Sequence, residues 1–186
     1  MSKAVSALEG VSHKGFVEVA EAGLRGMITL RGDLASAKMK KAVKAATGTA
    51  VPAARRIELN GDKAAAWMSP DELLILVPYA EAVATVEALD NALAGEHHLA
   101  ADVSDARAVF TIRGAKAEEA LMKLSPVDFA TLAEGEIRRT RTAQVAAAFW
   151  KSGPEEFTLV SFRSVAGYVM GLLEVSAKAG SELFPA

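Results

Sequence analysis

The sequence has no cysteine, and only 6% of its 186 residues are aromatic. The lack of cysteine excludes a disulfide scaffold, thiol catalysis and metal sites built on thiolates. Histidine is also scarce, since the chain has only three. Few side chains are therefore candidates for metal binding or for proton transfer near neutral pH.

Neither sign of charge dominates, because 21 basic and 23 acidic residues give a formal net charge of −2. Nucleic-acid-binding proteins usually carry a basic excess, so this class is not favoured. The longest largely apolar stretch without charge is residues 164–173, about half the length of a membrane span. Residues 1–15 lack the apolar core of a signal peptide. We therefore expect a cytoplasmic protein.

Alanine makes up much of what is present: 38 of the 186 residues are alanine, and 51% of the chain is hydrophobic. A chain of this length normally forms one domain or two small ones. Alanine buries little area per residue, so the composition is typical of modest lobes with thin cores rather than of one large core.

An internal repeat organises the chain. Thr29-Leu30-Arg31-Gly32 corresponds to Thr111-Ile112-Arg113-Gly114 at an offset of 82, and Arg55-Arg56 corresponds to Arg138-Arg139 at an offset of 83. Two further matches lie in the same order: Met39-Lys40 with Met122-Lys123, and Ser69-Pro70-Asp71-Glu72 with Ser152-Gly153-Pro154-Glu155-Glu156. Four ordered matches at nearly constant spacing indicate a duplicated unit.

Apolar periodicity predicts the order β-β-α-β-β-α in each copy, with an extra short strand possible in the first. The predicted strands are residues 16–20, 25–31, 55–59, 64–68, 72–77, 99–103, 107–113, 137–150 and 157–162, and the predicted helices are 35–46, 79–93, 115–124 and 163–178. Asn60-Gly61 predicts a hairpin turn, and Gly48 a helix stop.

This order predicts an α+β protein of two pseudo-repeated ferredoxin-like lobes. We expect an N-terminal arm at residues 1–15, a first lobe at 16–95 and a second lobe at 96–180. Only three residues, Glu96-His97-His98, separate Gly95 from the next strand. A gap this short predicts one two-lobed unit, and the boundary between lobes is a natural place for a ligand.

Catalytic and metal-binding patterns are sparse. There is no Gly-x-Ser-x-Gly sequence, and nothing in the spacing places His97 or His98 beside a serine such as Ser104. His97-His98, with Asp102 and Asp105 nearby, is the candidate metal pair, but adjacent side chains on a strand point to opposite faces. The alternative interpretation is a solvated turn between a helix and a strand.

Two Arg-Gly pairs stand where a strand leads into a helix, at Arg31-Gly32 and Arg113-Gly114. Helix N-termini attract anions, so both are candidate anion sites. The sequence has no P-loop and no Gly-x-Gly-x-x-Gly pattern. A tight turn that leads into the helix is the simpler interpretation.

Arginine and aromatic residues are the candidates for partner contacts. Arg138, Arg139 and Arg141 lie on one predicted strand. Three interpretations are open: the arginines protect a solvated sheet edge from aggregation, they pair with carboxylates of a partner chain, or they bind an anionic ligand. Trp67, Phe149 and Trp150 end strands in corresponding places and are either core residues or docking anchors. The partner-interface candidates are Arg138, Arg139, Arg141, Trp150 and Arg163.

Residues 97–177 carry a family resemblance. The segments are HHLAADVSDAR (97–107), IRG (112–114), LMKLSPVDF (121–129), RTR (139–141), QVA (144–146), FRSVA (162–166) and YV (168–169). They resemble the gamma subunit of heterotetrameric sarcosine oxidase. That family is in turn similar to the folate-binding region of the aminomethyltransferase (glycine cleavage T-protein) superfamily. The segment Asp102-Val103-Ser104 resembles a pattern of that superfamily.

The resemblance implies a role inside a complex. Heterotetrameric sarcosine oxidase demethylates sarcosine oxidatively to glycine and hydrogen peroxide and passes the one-carbon unit to tetrahydrofolate. Its FAD, FMN and NAD belong to the alpha and beta subunits and its zinc to the delta subunit, so no cofactor is expected on this chain. The chain is then a non-catalytic subunit of an oxidoreductase, with the alpha, beta and delta subunits as partners.

Two alternatives remain at this point. The repeat and Asp102-Val103-Ser104 also suit a stand-alone folate-binding protein of the aminomethyltransferase type. The strand at 143–150 has no acidic residue for acid–base work on folate, however. The repeat alone suits a small-molecule sensor built from paired ferredoxin-like lobes.

Overall fold

A computed structural model describes residues 3–184. From the N-terminus the elements are β1 (Ser12–Lys14), β2 (Glu18–Glu21), β3 (Gly26–Gly32), α1 (Ala37–Thr47), β4 (Ile57–Asn60), β5 (Lys63–Ser69), β6 (Glu72–Val77) and α2 (Ala82–Ala92). They continue with β7 (His98–Asp102), β8 (Arg107–Arg113), α3 (Ala117–Met122), β9 (Ile137–Thr142), β10 (Val145–Gly153), β11 (Glu156–Phe162) and α4 (Ala166–Ala177). The chain is α+β, as the periodicity predicts.

The strands form two antiparallel sheets. One has six strands in the order β1-β2-β8-β11-β10-β9, and the other has five in the order β4-β5-β6-β3-β7. The chain divides into two units, of which one is Arg25–Asp105 and the other joins the residues up to Leu24 to those from Ala106 onward. Each unit contains one of the two sheets.

These units have other boundaries than the expected lobes 16–95 and 96–180. The first strand of each repeat pairs with the sheet of the other repeat: β2 pairs with β8, with Val19 opposite Ile112, and β7 pairs with β3, with Ala100 opposite Leu30. Periodicity shows that a strand has an apolar face but not which strand it pairs with, so sequence order alone suggested contiguous lobes.

Each repeat has one strand more than β-β-α-β-β-α; the sequence predicts this extra strand as possible in the first repeat but not in the second. The prediction of a single strand over residues 137–150 is wrong, because the chain turns back between β9 and β10, with Thr142 paired to Val145. Ala143 makes this turn with φ 50°. No glycine or Asn-Gly pair marks the turn, which is why the pattern reads as continuous.

Local signals explain α1. Ser36 caps its N-terminus by accepting a hydrogen bond from the Met39 N–H at 3.0 Å. The helix ends at Gly48, which has φ 77° and donates its N–H to the Lys44 carbonyl at 2.9 Å. Met39, Ala42 and Val43 turn inward. The Gly48 stop is where the sequence predicts it.

Each unit has its own helix-covered core. In the unit Arg25–Asp105, α1 and α2 cover a core that contains Ile28, Leu30, Leu73, Ile75 and Leu89. In the other unit the core joins β2 to the second repeat. It includes Val19, Phe110, Ile112, Leu121, Phe129, Phe149, Phe157, Leu159, Val169, Met170 and Leu173. Among residues 3–184, none of the helices combines the length and the hydrophobicity of a membrane-spanning segment.

Candidate functional site

The Arg31-Gly32 turn is a tightly packed junction at the end of β3. Gly32 has φ 154° and donates its N–H to the Asp71 carbonyl at 3.0 Å. A Cβ at this position would lie 2.8 Å from Met39 Cε and 3.2 Å from the His97 carbonyl oxygen. Both the backbone conformation and the space therefore require glycine here.

Arg31 is held by carboxylates. Its guanidinium lies 2.7 Å from Glu72 Oε2 and 3.7 Å from Asp71 Oδ2. The hydrogen bond to Glu72, followed by the charges of Glu72 and Asp71, raises the pKa of Arg31 above its ordinary value. Arg31 thus neutralises the buried Glu72, which weakens the interpretation of this junction as an anion site.

A cleft of about 640 Å³ opens beside this junction, at the N-terminus of α1. Its lining consists of Arg31, Gly32, Asp33, Ser36, Asp71, Glu96, His97, His98 and Leu99. Ser36 donates its hydroxyl to Glu96 Oε2 at 2.8 Å, across the cleft wall. Since the lining has three carboxylates and Arg31 is already paired, the cleft offers mainly hydrogen-bond acceptors.

The two adjacent histidines, His97 and His98, lie in different environments. His98 is hydrogen-bonded through Nδ1 to the Glu96 carbonyl at 2.9 Å and through Nε2 to Asp90 at 3.1 Å, whereas His97 is exposed. Within residues 3–184 no group of three or more His, Cys, Asp or Glu side chains has the arrangement of a metal site. His98, the first residue of β7, is thus held by contacts to Glu96 and Asp90 within its own unit.

Ser104 and Asp102 form a local turn. Asp102 Oδ1 accepts both the N–H and the hydroxyl of Ser104, at 2.9 and 2.5 Å, and Ser104 Oγ accepts the Met27 N–H at 3.0 Å. The neighbouring Asp105 accepts a hydrogen bond from the Tyr79 hydroxyl at 3.0 Å. Because Ser104 is buried and engaged in this way, its hydroxyl serves the connection from β7 to β8.

The second repeat builds the same junction at Arg113-Gly114. Gly114 has φ 135° and donates to the Glu155 carbonyl at 2.9 Å, and Arg113 Nε lies 2.5 Å from Glu156 Oε2. A smaller depression of about 360 Å³ lies there. The two copies therefore share the same contacts. In each, the arginine pairs with a glutamate, and the glycine N–H donates to the carbonyl of the residue that precedes that glutamate.

The arginine candidates occupy different surroundings. Strand β9 is an edge of the six-stranded sheet, and Arg139 and Arg141 are exposed on it. Arg138 is half-buried, 3.2 Å from Glu136 Oε2. Arg163 donates to the carbonyls of Val5 and Ser6 at 3.0 and 3.2 Å, outside the β9 edge.

The aromatic candidates are mainly core residues. Trp150 is only 4% exposed in β10, opposite Ile137 and Thr158. Phe149 stacks on Phe129 with ring centroids 5.5 Å apart. The burial of Trp150 leaves little of its side chain for a partner.

Sequence reasoning missed a buried carboxylate that holds the C-terminal tail. Glu119 of α3 accepts the backbone N–H groups of Leu183 and Phe184 at 2.8 and 3.2 Å. Burial raises the pKa of Glu119, but these hydrogen bonds and the nearby Lys116 ammonium lower it by more, so the pKa lies below its ordinary value. In the sequence, Glu119 is recognisable only as an acidic residue in the first turn of a helix, where such residues are common. Nothing in that position indicates that it binds the backbone of Leu183 and Phe184.

The fold is similar to those of several proteins of known structure. The chain is similar to a chain of the heterotetrameric sarcosine oxidase from Corynebacterium sp. U-96, solved with pyrrole 2-carboxylate: 24% identity, TM-score 0.81, 91% of this chain and 88% of that one. It is also similar to aminomethyltransferase T from Bartonella henselae, at 11% identity and TM-score 0.67, over 89% of this chain but only 48% of that one. The regulatory subunit of aspartate kinase from Thermus thermophilus matches at TM-score 0.53 and 14% identity, over 89% and 99% of the two chains.

These structural likenesses confirm the predicted resemblance to the aminomethyltransferase fold. No curated protein matches the sequence significantly. The model of the sarcosine oxidase gamma subunit family matches residues 31–179, which is most of the chain and includes both Arg-Gly junctions. The chain therefore belongs to the sarcosine oxidase gamma subunit family.

Proposed function

We propose that this chain is a structural subunit of a heterotetrameric sarcosine oxidase, which docks on the flavin-bearing subunits and supplies no catalytic residue. The family match over residues 31–179 carries the proposal. The internal use of the polar groups supports it: Ser104, His98 and Arg31 are all hydrogen-bonded within their own unit. The chain's proposed location is the cytoplasm.

The proposed complex oxidises sarcosine to glycine and passes the methyl carbon to tetrahydrofolate. In this proposal FAD, FMN and NAD are bound by the alpha and beta subunits, zinc by the delta subunit, and tetrahydrofolate outside this chain. The part played by the gamma chain is to assemble and position these subunits.

Co-expression tests the function directly. The other three subunits are produced with and without this chain, and the purified oxidase is compared for composition and for turnover of sarcosine. We expect the complex without this chain to assemble incompletely or to lose turnover. Full assembly with normal turnover in its absence would contradict the proposal.

The β9 edge is the surface that we propose for charged partner contacts. Arg139 and Arg141 are exposed on the same side of an edge strand, and Arg138 of the same strand is paired with Glu136 at 3.2 Å. Arginine side chains in this arrangement suit carboxylates of a partner chain. Charge on an edge strand also prevents unwanted strand pairing, which is compatible with this role.

Charge reversal tests the β9 edge. Replacing Arg139 and Arg141 together by Glu is expected to weaken assembly with the partner subunits at least about tenfold, because attractive ion pairs become repulsive. The matched control replaces Lys40 and Lys41 by Glu, two exposed positions on α1. Titration of labelled gamma chain into the other subunits at two salt concentrations measures the effect. Equal losses from both double variants would attribute the change to net charge and contradict a specific edge contact.

Folate binding by the isolated chain is the second candidate, favoured by the likeness to aminomethyltransferase T. Calorimetry with tetrahydrofolate separates the two candidates. Saturable heat together with a rise in melting temperature would support autonomous folate binding. The absence of both at high ligand concentration is expected for a structural subunit.

A further inference from the structure

Helix α4 is apolar on both of its faces. Its inner face contains Ala166, Val169, Met170, Leu173, Ser176 and Ala177, all buried. Its outer face presents Tyr168 and Val175, which are 47% and 74% exposed, and the half-buried Leu172 between them. Glu174 is the helix's one charged residue. A surface helix normally has a polar outer face, whereas a helix that is hydrophobic all round is normally covered.

The outer positions form one continuous stripe. Tyr168, Gly171, Leu172 and Val175 follow the spacing i, i+3, i+4, i+7, which places them on one side of the helix. Gly167 and Gly171 add a notch, because a Cβ built at either position meets no atom within 4 Å. Without side chains at these two positions, a neighbouring helix can approach the backbone of α4 closely.

The size of the face indicates what kind of molecule covers it. Twelve residues at about 1.5 Å each give a helix about 18 Å long and 10 Å wide, a footprint on the order of 200 Å². A stable dimer needs about 800 Å² from each partner, so a second copy of this chain docked through α4 alone would not hold. A patch of this size suits one part of a larger interface between different subunits.

We propose that the outer face of α4, from Gly167 to Val175, is the docking site for an apolar helix of another subunit of the complex. The inference rests on the proposed function, because the occupant is a partner subunit. The stripe Tyr168, Gly171, Leu172 and Val175 has no charged residue, so the contacting side of that helix is apolar, with one bulky aliphatic or aromatic side chain seated in the notch at Gly167 and Gly171. Glu174, at i+3 from Gly171, borders the notch on the side away from Leu172. The β9 edge and the α4 face are then two separate contacts of the same unit.

Gly171 allows a test in which folding and docking respond in opposite directions. Glutamine has a higher helix propensity than glycine, and a Cβ at Gly171 meets no atom within 4 Å in the isolated chain. Gly171→Gln is therefore expected to leave the melting temperature of the isolated chain unchanged or raised while it fills the notch. Val175→Arg places a charge at the most exposed point of the stripe.

The experiment measures the affinity of the gamma chain for the complex of the other three subunits. We expect Gly171→Gln and Val175→Arg each to raise the dissociation constant at least about tenfold. The matched control, Ala84→Gln, places the same side chain at an exposed position of α2 and is expected to bind as the unmodified chain does.

The outcomes separate this inference from the function on which it rests. If the unmodified chain assembles and both α4 variants assemble equally well, the docking face is wrong and the function stands. If the unmodified chain does not assemble, the function and the docking face are both wrong. If the isolated chain is a dimer that Gly171→Gln converts to a monomer, the occupant is a second copy and the assignment to a partner subunit is wrong.

Discussion

At the scale of single residues, Gly61 and Ala143 show one backbone requirement met in two ways. They lie 82 residues apart, at the β4–β5 turn and the β9–β10 turn, with φ 56° and φ 50°. An L-residue pays for a left-handed conformation because its Cβ crowds the following carbonyl, and glycine does not. The second repeat therefore has a strained alanine where the first has glycine.

Exchanging these two residues tests the strain. Ala143→Gly is expected to stabilise the chain by about 0.5–1 kcal/mol, the relief of strain less the added freedom of the unfolded chain. Gly61→Ala is expected to destabilise it by about 1 kcal/mol, since its Cβ meets nothing within 4 Å and only the backbone conformation opposes it. Thermal unfolding measures both; two shifts of the same sign would contradict the explanation.

Glu119 predicts a pH-dependent contribution to stability. Because its pKa is lower in the folded chain than its ordinary value, the carboxylate stabilises the fold above the ordinary glutamate pKa of about 4.3. This contribution is lost as the pH falls through the lowered folded pKa. Glu119→Gln should therefore destabilise the chain near pH 7, and its difference from the unmodified chain should shrink towards pH 3.

The control for Glu119 is its neighbour Glu118, which lies on the same short helix but is only partly buried. Chemical unfolding from pH 3 to pH 7 of the unmodified chain, Glu118→Gln and Glu119→Gln provides the comparison. A pH-independent loss in Glu119→Gln would show that the shape of the side chain, not its charge, holds Leu183 and Phe184.

At the scale of elements, the segment before β2 is fixed to the end of α4. Phe16 donates its N–H to the Ala177 carbonyl at 2.8 Å, and a Cβ at Gly15 would lie 1.8 Å from that same oxygen. Val17 and Val19 are buried in the core of the same unit. The close approach at Gly15 thus lets a strand from the start of the chain join elements from its end.

Gly15→Ala is expected to be among the more damaging small substitutions, with a loss of about 2 kcal/mol or more, because the clash is with backbone and one of two elements must move. Gly153→Ala is the control, since its Cβ would approach nothing closer than 3.8 Å. Denaturant unfolding followed by circular dichroism compares the two. A loss at Gly15 no larger than that at Gly153 would show that the segment is loosely held.

At the scale of the whole molecule, the first strand of each repeat, β2 or β7, joins the sheet of the other repeat. This exchange determines which range of the chain contains a complete sheet. The range 25–105 retains β7 beside β3 and so retains all five strands of its sheet. The range 16–95, of nearly equal length, lacks β7 and carries β2, whose partner β8 lies outside it. The two ranges therefore differ in completeness although both contain one repeat.

Fragments with these ends test the exchange. We expect 25–105 to unfold cooperatively and 16–95 to lack a cooperative transition. In 16–95 the absence of β7 exposes one side of β3, and the absence of β8 leaves the apolar residues of β2 unpaired. Circular dichroism melts and amide exchange measure this. A cooperative 16–95 beside an unfolded 25–105 would show that β2 can replace β7 in that sheet.

The sequence by itself determined the α+β class, the duplication and the family. Apolar alternation and helical stripes are local properties, and the copy of Arg31-Gly32 at Arg113-Gly114 is found from residue order and spacing alone. Gly48 and Asn60-Gly61 end elements for reasons contained in their own backbones. These features do not depend on what lies across the fold.

Only the tertiary structure decided which strands pair, where the candidate residues lie and what α4 exposes. Strand pairing joins residues far apart in sequence, so the exchange of β2 and β7 leaves no trace in periodicity. The burial of Trp150, the contact of Arg163 with the N-terminal segment and the exposure of Tyr168 and Val175 likewise depend on neighbours brought together by folding. An apolar stripe predicts a covered surface, but whether its own chain provides the cover is a property of the folded molecule.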